Sequence, residues 1–456
     1  MKKHILFFPV ETISRELDYK LVLAMQLARE DTLCIVGQHD FIDKAAKITK
    51  RGIYIGKNVF KTTFPCELAL FKKYKRNKHV IFWLHEEGGI YPGNEEVWKK
   101  TLNELLNKSI LTQDDAILTW GKFQENFYRT ENNNIPVYDT GTPRFDLSNN
   151  DLLGNLISQF NRVKNKDYIL INTNFSFTNY HSEKIALLAK MIKDEPTTDA
   201  KHYISYHYSR ELKMFAHFIE AISYLAKKFP KQEFIIRPHP TESSEIYKTL
   251  FSFTDNVKVS KRFTSIEWIQ CAKLIIQNGC TTAVESYFLD KPIINYYPFD
   301  DNVNISITKD LGINCSSKED LTKLIKEDLS SISVPKDSKI LTMISNFNDG
   351  PSLPRIISLY DKKILNLKKF EFVKPILFLR LKIIVLTYYL YDLIKIIPRK
   401  IFFHQKWKDY LMAKSHFRGL DHREISKKAH FLNSEGKNIE LTFFGKEGFA
   451  INIKND

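Results

Sequence analysis

Short, wholly apolar runs alternate with helical patterns through most of this chain. In the first part such runs cover residues 5–10, 32–37, 80–84 and 116–121, and the first is followed by apolar residues at helical spacing. Strands that are apolar on both faces and separated by helices are typical of a parallel sheet with helices on both sides. We therefore predict a Rossmann-like, doubly wound α/β domain over residues 1–150.

A second series of the same kind follows a polar break at residues 148–151 and a linking helix predicted over residues 152–163. Its apolar runs cover residues 168–172, 233–236 and 274–276. This pattern predicts a second Rossmann-like domain over residues 151–365. Two doubly wound halves in tandem are the outline of the GT-B fold, in which the halves face a cleft that takes a nucleotide-charged donor.

Residues 366–456 form a tail of different character, basic and aromatic. Its stretch 375–397 is long enough to span a bilayer, but Arg380, Lys382, Asp392 and Lys395 would be costly at membrane depth. Two interpretations stay open. One is a basic amphipathic helix lying on an anionic membrane surface, and the other is a core helix that packs back on the second domain.

The chain is basic, with 68 Lys and Arg against 53 Asp and Glu and a net charge of +15. This excess suits an anionic partner such as a nucleotide, a nucleic acid or an acidic membrane surface, and does not choose among them. Five cysteines without a C-x-x-C pair indicate neither a disulfide framework nor a zinc site. The first apolar run ends at Val10, too short for a signal peptide, so we expect a cytoplasmic protein.

The strongest local motif is Arg237-Pro238-His239-Pro240, at the carboxyl end of the strand predicted over residues 233–236. Ligands of open α/β sheets bind at strand carboxyl ends, and two prolines hold the turn between them extended. Arg237 can fork onto a phosphate, and His239 can donate a proton or a hydrogen bond to a leaving phosphate oxygen. The alternative is a rigid loop with a surface histidine.

A second motif follows the next strand of the same half and begins at Asn278. Gly279 allows a tight turn, Thr281 or Thr282 starts a helix, and Glu285 lies one turn later. The free N–H groups and the positive dipole end of the helix can hold a phosphate, and Glu285 can accept from a ribose hydroxyl. An ordinary capped helix is the alternative, but the Arg-Pro-His-Pro run in the same half favours donor binding.

Acidic residues follow strands of the first half. Glu86 and Glu87 come after the run 80–84, and one of two adjacent, partly buried carboxylates suits a base that takes a proton from a sugar hydroxyl. Asp146 closes the first domain. The alternatives are a solvated turn for the two glutamates and an Arg144–Asp146 turn that fixes the hinge. Three weaker candidates for sugar binding also lie at strand ends: Glu11, Asn172 and Asn174.

Together these motifs resemble those of the bacterial surface carbohydrate biosynthesis proteins. The similarity rests on residues 8–18, 86–88, 141–146, 172–175, 237–240 and 278–285, and it does not include the tail. These proteins are GT-B glycosyltransferases related to the retaining β-Kdo transferases of lipopolysaccharide and capsule assembly. The resemblance implies a transferase that moves Kdo or a related 2-keto acid from a CMP-activated donor to a glycan or lipid-linked glycan acceptor.

Bacterial sialyltransferases are a looser resemblance. Their acidic-acidic-Gly, His-Pro and helix-start serine motifs are matched here by Glu86-Glu87-Gly88, by His239-Pro240 and, with threonines, by Thr281-Thr282. This resemblance implies that His239 and a threonine hold the CMP phosphate and that Glu86 or Glu87 contacts the reacting sugar. An inverting reaction would need one carboxylate base, whereas a retaining one could use Asp146 as a covalent nucleophile.

Two other functions stay open. CDP-glycerol-type polyol-phosphate transferases also carry an Arg-Pro-His-Pro run and a Gly-x-Pro-Arg turn in a GT-B fold. A basic nucleic-acid-binding or scaffold protein is favoured only by the charge balance and the aromatic content, so we expect no nucleic acid partner. We expect no metal and no other cofactor, because Arg237, His239 and a helix start can offset the charge of a leaving phosphate.

Overall fold

The computed structural model describes residues 1–57, 65–86, 95–106, 108–130, 134–149, 155–164, 166–179, 192–193, 198–299, 307–330, 333–402, 417–433 and 436–454. The chain divides into two compact units. The first comprises Met1–Leu147, Asp151–Leu156 and Lys339–Asp456, and the second comprises Ser148–Asn150 and Ile157–Ser338.

The strands in chain order are β1 Lys2–Val10, β2 Thr32–Gln38, β3 Ile53–Gly56, β4 Val80–Leu84, β5 Ala116–Thr119, β6 Val137–Asp139, β7 Tyr168–Asn172, β8 Phe234–Arg237, β9 Val257–Val259, β10 Ala272–Gln277, β11 Ile293–Tyr296, β12 Ile313–Cys315, β13 Phe370–Glu371, β14 Ile439–Phe444 and β15 Gly448–Ile453. The helices are α1 Ile13–Leu27, α2 His39–Lys47, α3 Pro65–Arg76, α4 Glu95–Leu105, α5 Lys122–Thr130, α6 Pro143–Asp146, α7 Asn155–Phe160, α8 Thr198–Lys228, α9 Glu245–Leu250, α10 Ser265–Cys271, α11 Thr282–Phe288, α12 Lys318–Lys326, α13 Ile340–Met343, α14 Asn346–Asp349, α15 Ser352–Ile364, α16 Lys374–Phe402 and α17 His422–Leu432.

The first unit is built on a mainly parallel sheet in the order β14-β15-β2-β1-β3-β4-β5-β6. The strands from β2 to β6 run parallel, and β1, β2 and β4 are almost wholly buried, as continuous apolar runs require. The strand order reverses between β1 and β3, because β2 lies on one side of β1 and β3 to β6 follow on the other. Ligands of open α/β sheets bind at such a switch point.

The second unit is built on a wholly parallel sheet in the order β12-β11-β10-β7-β8-β9. Its core joins strand residues such as Ile171, Ile236 and Ile276 to the inner face of α8, which contributes Phe218 and Leu225. Here the order reverses between β7 and β10. The prediction of two Rossmann-like α/β halves is therefore confirmed.

The expected boundaries at residues 150 and 365 differ from the observed units. Residues 339–456 belong to the first unit, where β15 pairs antiparallel with β2 and β13 pairs with the start of β1. The physical reason is that β2 would otherwise be an edge strand with unpaired N–H and C=O groups. The tail therefore completes the first sheet, in place of packing on the second domain.

No helix within the described ranges is long and apolar enough to cross a membrane. The longest helix of the tail, α16, packs instead against the first unit through Leu377, Leu381 and Val385, which are all buried. Phe378 meets Phe444 of β14 edge to face, with ring centroids 5.4 Å apart.

Two phenylalanines of the tail provide a test of this arrangement. Phe449 on β15 is fully buried, whereas Phe431 on α17 is 40% exposed. We expect Phe449→Ala to lower the free energy of unfolding by about 3–5 kcal/mol and Phe431→Ala by less than about 1 kcal/mol. Chemical denaturation measures both. Equal, small losses would contradict the placement of the hairpin in the first core.

Candidate functional site

Three of the predicted segments meet at the switch point of the second unit. Asn172, at the end of β7, pairs in register with Arg237 of β8 on one side and with Gln277 of β10 on the other. The carboxyl ends of three adjacent strands thus bring residues 172–176, 237–242 and 277–282 to one edge of the sheet. This is the place at which an open α/β sheet receives a ligand.

The ring of His239 is oriented by the turn that carries it. The backbone N–H of Thr241 donates to Nδ1 at 3.3 Å, and the hydroxyls of Thr241 and Ser176 lie 2.7 and 3.2 Å from the same nitrogen. Because Nδ1 accepts from a backbone N–H, the neutral ring carries its proton on Nε2. His239 is therefore a half-buried N–H donor of fixed orientation.

Glu242, which the sequence analysis did not single out, fixes this turn. It is fully buried, and Oε1 accepts from the His239 N–H at 3.0 Å and from the Thr173 hydroxyl at 2.8 Å. Oε2 accepts from the Tyr247 hydroxyl at 2.6 Å and the Asn179 amide at 3.2 Å. An acidic residue three positions after a turn N–H is a local signal that could have identified it.

Arg237 turns toward the neighbouring loop. Its Nη1 and Nη2 donate to the carbonyls of Arg262 and Phe263 at 3.2 and 3.0 Å. Burial lowers the pKa of Arg237 to about 10, against the opposing effect of Glu285. These contacts favour a role in holding the loop after β9, and the phosphate role of Arg237 stays a prediction.

The turn after β10 is closed by a side chain that precedes it. Gln277 Oε1 accepts from the N–H groups of Gly279 and Cys280 at 2.6 and 2.7 Å, and Gly279 adopts a φ of 97° that favours glycine. The N–H groups of Gly279 and Cys280, which precede the helix, are therefore already bonded. Thr281 is the N-cap residue of α11, and its side chain makes no capping hydrogen bond.

Buried polar atoms at this edge have no hydrogen-bond partner among the described residues. They are both amide atoms of Asn172, Oδ1 of Asn278 and Oγ1 of Thr282. Asn172 is only 2% exposed. A buried polar group without a partner costs about 1–3 kcal/mol, so a cluster of them at a switch point is well suited to a polar ligand.

Two further predicted residues lie in the second unit. Glu285 on α11 is buried, and its Oε2 accepts from the Ser265 hydroxyl at 2.7 Å, so this carboxylate already joins α11 to α10. Asn174 is half-buried, two residues beyond β7. The roles of Glu285 toward a ribose and of Asn174 toward a sugar stay predictions.

Glu86 lies at the corresponding edge of the first unit, beyond β4. Its carboxylate accepts from the Tyr19 hydroxyl at 2.6 Å and forms an ion pair with Lys20 at 2.9 Å. Burial raises the pKa of Glu86, against the opposing effect of Lys20. The alternative of a solvated turn does not fit Glu86, which is 8% exposed and bonded on both oxygens. Its predicted partner Glu87 lies outside the described residues.

A network of ion pairs lies at the same edge of the first sheet. It includes the predicted Glu11, and also Lys57 and Glu16, which were not predicted as site residues. Lys57 follows β3 and pairs with Glu11 and, at 3.4 Å, with Glu16. Glu16 also accepts from Arg15 at 2.8 Å and from Lys20 at 3.4 Å. Burial would raise the pKa of Glu16, but Lys57, Lys20 and Arg15 together hold it well below its usual range. Glu11 therefore lies beside charged groups, and its role toward a sugar stays a prediction.

Asp146 makes contacts typical of a structural carboxylate. It is 2% exposed and accepts from the backbone N–H groups of Ser352 and Leu353 at 2.9 and 2.7 Å, which start α15, and from the Asn346 amide at 2.9 Å. Burial raises its pKa to about 6, against these hydrogen bonds. The contacts favour a helix cap over a nucleophile, and the catalytic role of Asp146 stays a prediction.

Within the described part of the chain, no group of three or more His, Cys, Asp and Glu side chains is arranged to hold a metal ion.

Comparisons with known proteins give similar folds only. No protein-family model matches the chain, and no curated protein matches it. The UDP-GlcNAc 2-epimerase of Methanocaldococcus jannaschii is 15% identical over 79% of this chain and 100% of its own, with a TM-score of 0.45. A putative UDP-N-acetylglucosamine 2-epimerase of Listeria monocytogenes is 12% identical over 80% and 96%, with a TM-score of 0.45. A variant of the wall teichoic acid polymerase TagF is 12% identical over 79% and 89%, with a TM-score of 0.44.

Replacing Glu242 tests whether it fixes the His239 turn. In Glu242→Gln one acceptor oxygen becomes an NH₂ group, so two of the four donors lose their partner. We expect the free energy of unfolding to fall by about 1–3 kcal/mol in chemical denaturation. Glu245→Gln is the matched control, because Glu245 is exposed and pairs with Lys248 on the surface, and we expect a change within about 0.5 kcal/mol. Equal stability of the two variants would contradict the assignment.

Proposed function

We propose that this chain is a glycosyltransferase of bacterial surface polysaccharide biosynthesis, in lipopolysaccharide O-antigen or capsule assembly. The donor is a CMP-activated sugar, Kdo or a related 2-keto acid, and the acceptor is a glycan or a lipid-linked glycan. The proposal combines the resemblance of the motifs with the polar edge of the second unit, and it places the donor on that unit.

The proposal rests on one observation, the unpartnered polar atoms at the edge of the second sheet. Asn172, Asn278 and Thr282 leave buried polar atoms without partners at the switch point between β7 and β10. His239, on the adjacent strand end, has its ring fixed with the proton on Nε2. A nucleotide offers phosphate oxygens that accept hydrogen bonds and hydroxyl groups that both accept and donate them, so it matches the unpartnered amide and hydroxyl groups.

His239 is the proposed donor to the leaving phosphate. When the glycosidic bond to the CMP oxygen breaks, negative charge develops on that oxygen, and a positioned N–H stabilises it. Thr281 or Thr282 is the proposed second donor through its hydroxyl. These groups belong to the chain itself, so the proposed transfer uses no metal ion and no cofactor.

Glu86 or Glu87 is the proposed base that accepts the proton of the acceptor hydroxyl. The pKa of Glu86, raised by burial, brings this carboxylate closer to the value that suits a base at neutral pH. Tyr19 and Lys20 hold its two oxygens and would orient it. One carboxylate base is enough for an inverting reaction, and the cap contacts of Asp146 support this course over a covalent intermediate.

A polyol-phosphate transferase of the CDP-glycerol type is the second candidate. It is supported by the same Arg237-to-Pro240 turn, because a cytidine diphosphate would also place a phosphate at His239. The two candidates differ in the donor they bind. A nucleic-acid-binding or scaffold protein is supported only by the net charge of +15 and the aromatic content.

Donor binding tests the proposal. We expect CMP-Kdo or CMP-sialic acid to raise the melting temperature in a thermal-shift titration, with CDP-glycerol and UDP-sugars giving smaller shifts. His239→Asn should weaken that binding at least about tenfold, since a hydrogen bond to a charged group is worth roughly 1.5–3 kcal/mol. His202→Asn, at an exposed site on α8, is the matched control and should bind as the parent does.

The outcomes separate the candidates. A response to CDP-glycerol alone would contradict the CMP-sugar donor and support the polyol-phosphate transferase. No response to any cytidine compound, together with steeply salt-dependent binding to unspecific DNA or RNA, would contradict both enzymes.

Asp146→Asn distinguishes a helix cap from a nucleophile. The amide keeps one acceptor but turns an NH₂ group toward a backbone N–H of α15, so we expect a loss of about 1–3 kcal/mol in stability. Transfer should persist with a nearly unchanged kcat in a radiolabelled-donor assay. Complete loss of transfer in a folded Asp146→Asn protein, judged by circular dichroism, would show that a nucleophile had been removed.

A further inference from the structure

One face of α16 is apolar and exposed. Six side chains form what we call the exposed stripe: Ile376, Leu379, Ile383, Leu386, Leu390 and Leu393. Each of them is between 49% and 65% exposed. At 1.5 Å per residue the exposed stripe is about 26 Å long. Single exposed apolar residues are ordinary, but a continuous stripe of this length marks an interaction surface.

The opposite face of α16 holds the helix on the first unit. Leu377, Leu381 and Val385 are buried there. Lys44 of α2 lies over the ring of Tyr388, 3.4 Å from its centroid, and Lys374 pairs with Glu440 of β14. The helix is therefore held on the first unit from Lys374 to Tyr388, and its apolar outer face is left exposed.

Basic and aromatic residues border the exposed stripe on both sides. Projected down the helix at about 100° per residue, Arg380 and Tyr391 lie along one border and Lys382 and Tyr389 along the other. All four are exposed. Asp392, the acidic residue of this helix, lies on the inner side, where its charge acts on Lys44.

We propose that α16 lies on an anionic lipid bilayer, with the exposed stripe inserted at the boundary between headgroups and acyl chains. Long basic side chains on both borders can reach the phosphates while their stems stay with the apolar stripe. Tyrosine rings are suited to the same interfacial level. The helix thus binds along the membrane surface and does not cross it.

Charge complementarity selects the bilayer over a second copy of the chain. The 3-4 spacing of the exposed stripe would also suit a coiled coil, in which bordering residues meet across the seam. The charged residues that border the exposed stripe are Arg380 and Lys382, so two copies would bring like charges together. An anionic leaflet neutralises those charges instead.

Vesicle flotation of the full-length protein tests this proposal. We expect the protein to float with vesicles of phosphatidylcholine and phosphatidylglycerol, to bind phosphatidylcholine alone much more weakly, and to lose part of its binding at high salt. Ile383→Ser combined with Leu386→Ser should reduce binding at least about tenfold. Phe253→Ser is the matched control, because Phe253 is 82% exposed in the second unit and should be replaceable without effect.

Circular dichroism and sedimentation decide the remaining outcomes. Both serine variants should keep the parent's helical content, since the changed side chains are exposed. Absence of binding to anionic vesicles would overturn the proposal, as would undiminished binding of the double-serine variant. A concentration-dependent dimer that the double-serine change abolishes, with no flotation, would assign the exposed stripe to a second copy of the chain.

Discussion

The candidate site depends on one constraint: parallel strands bring their carboxyl ends to the same edge of each sheet. A parallel sheet is covered by helices on both faces, but no helix covers the point at which the strand order reverses. Polar side chains that follow the strands therefore meet there. In the first unit these are Glu11, Lys57 and Glu86, and in the second they are Asn172, His239 and Asn278.

The two sheet edges differ in how their polar groups are paired. In the first unit, the buried carboxylates of Glu16 and Glu86 are paired with Lys57, Lys20 and Arg15, and the exposed Glu11 also pairs with Lys57. Breaking such a buried pair costs about 3–5 kcal/mol, because it leaves an uncompensated charge in the interior. In the second unit, amide and hydroxyl atoms lack partners, which is the arrangement that gains most from a bound polar ligand.

The tail contributes both a buried hairpin and a partly exposed helix. Its hairpin completes the hydrogen bonding of β2, so the last residues of the chain stabilise the first sheet. Its long helix, α16, then has one face packed on that unit and one left exposed. The same basic residues that exclude a membrane span in the sequence border the exposed stripe in the structure.

The sequence alone determined the two Rossmann-like halves and the strand ends that carry His239, Asn172 and Glu86, because apolar runs and strand-end positions depend on local order. Tertiary structure decided the rest. Lys57 could be recognised only once its partner Glu11 was placed, and Glu242 left a local signal through His239 while its bond to Thr173 is distant in the chain. The structural role of Asp146 depends on Ser352, which lies 206 residues further along the chain. Likewise the tail joined the first unit because an edge strand accepts a partner from any part of the chain. Contacts between distant residues depend on how the chain returns, and the local pattern does not contain that information.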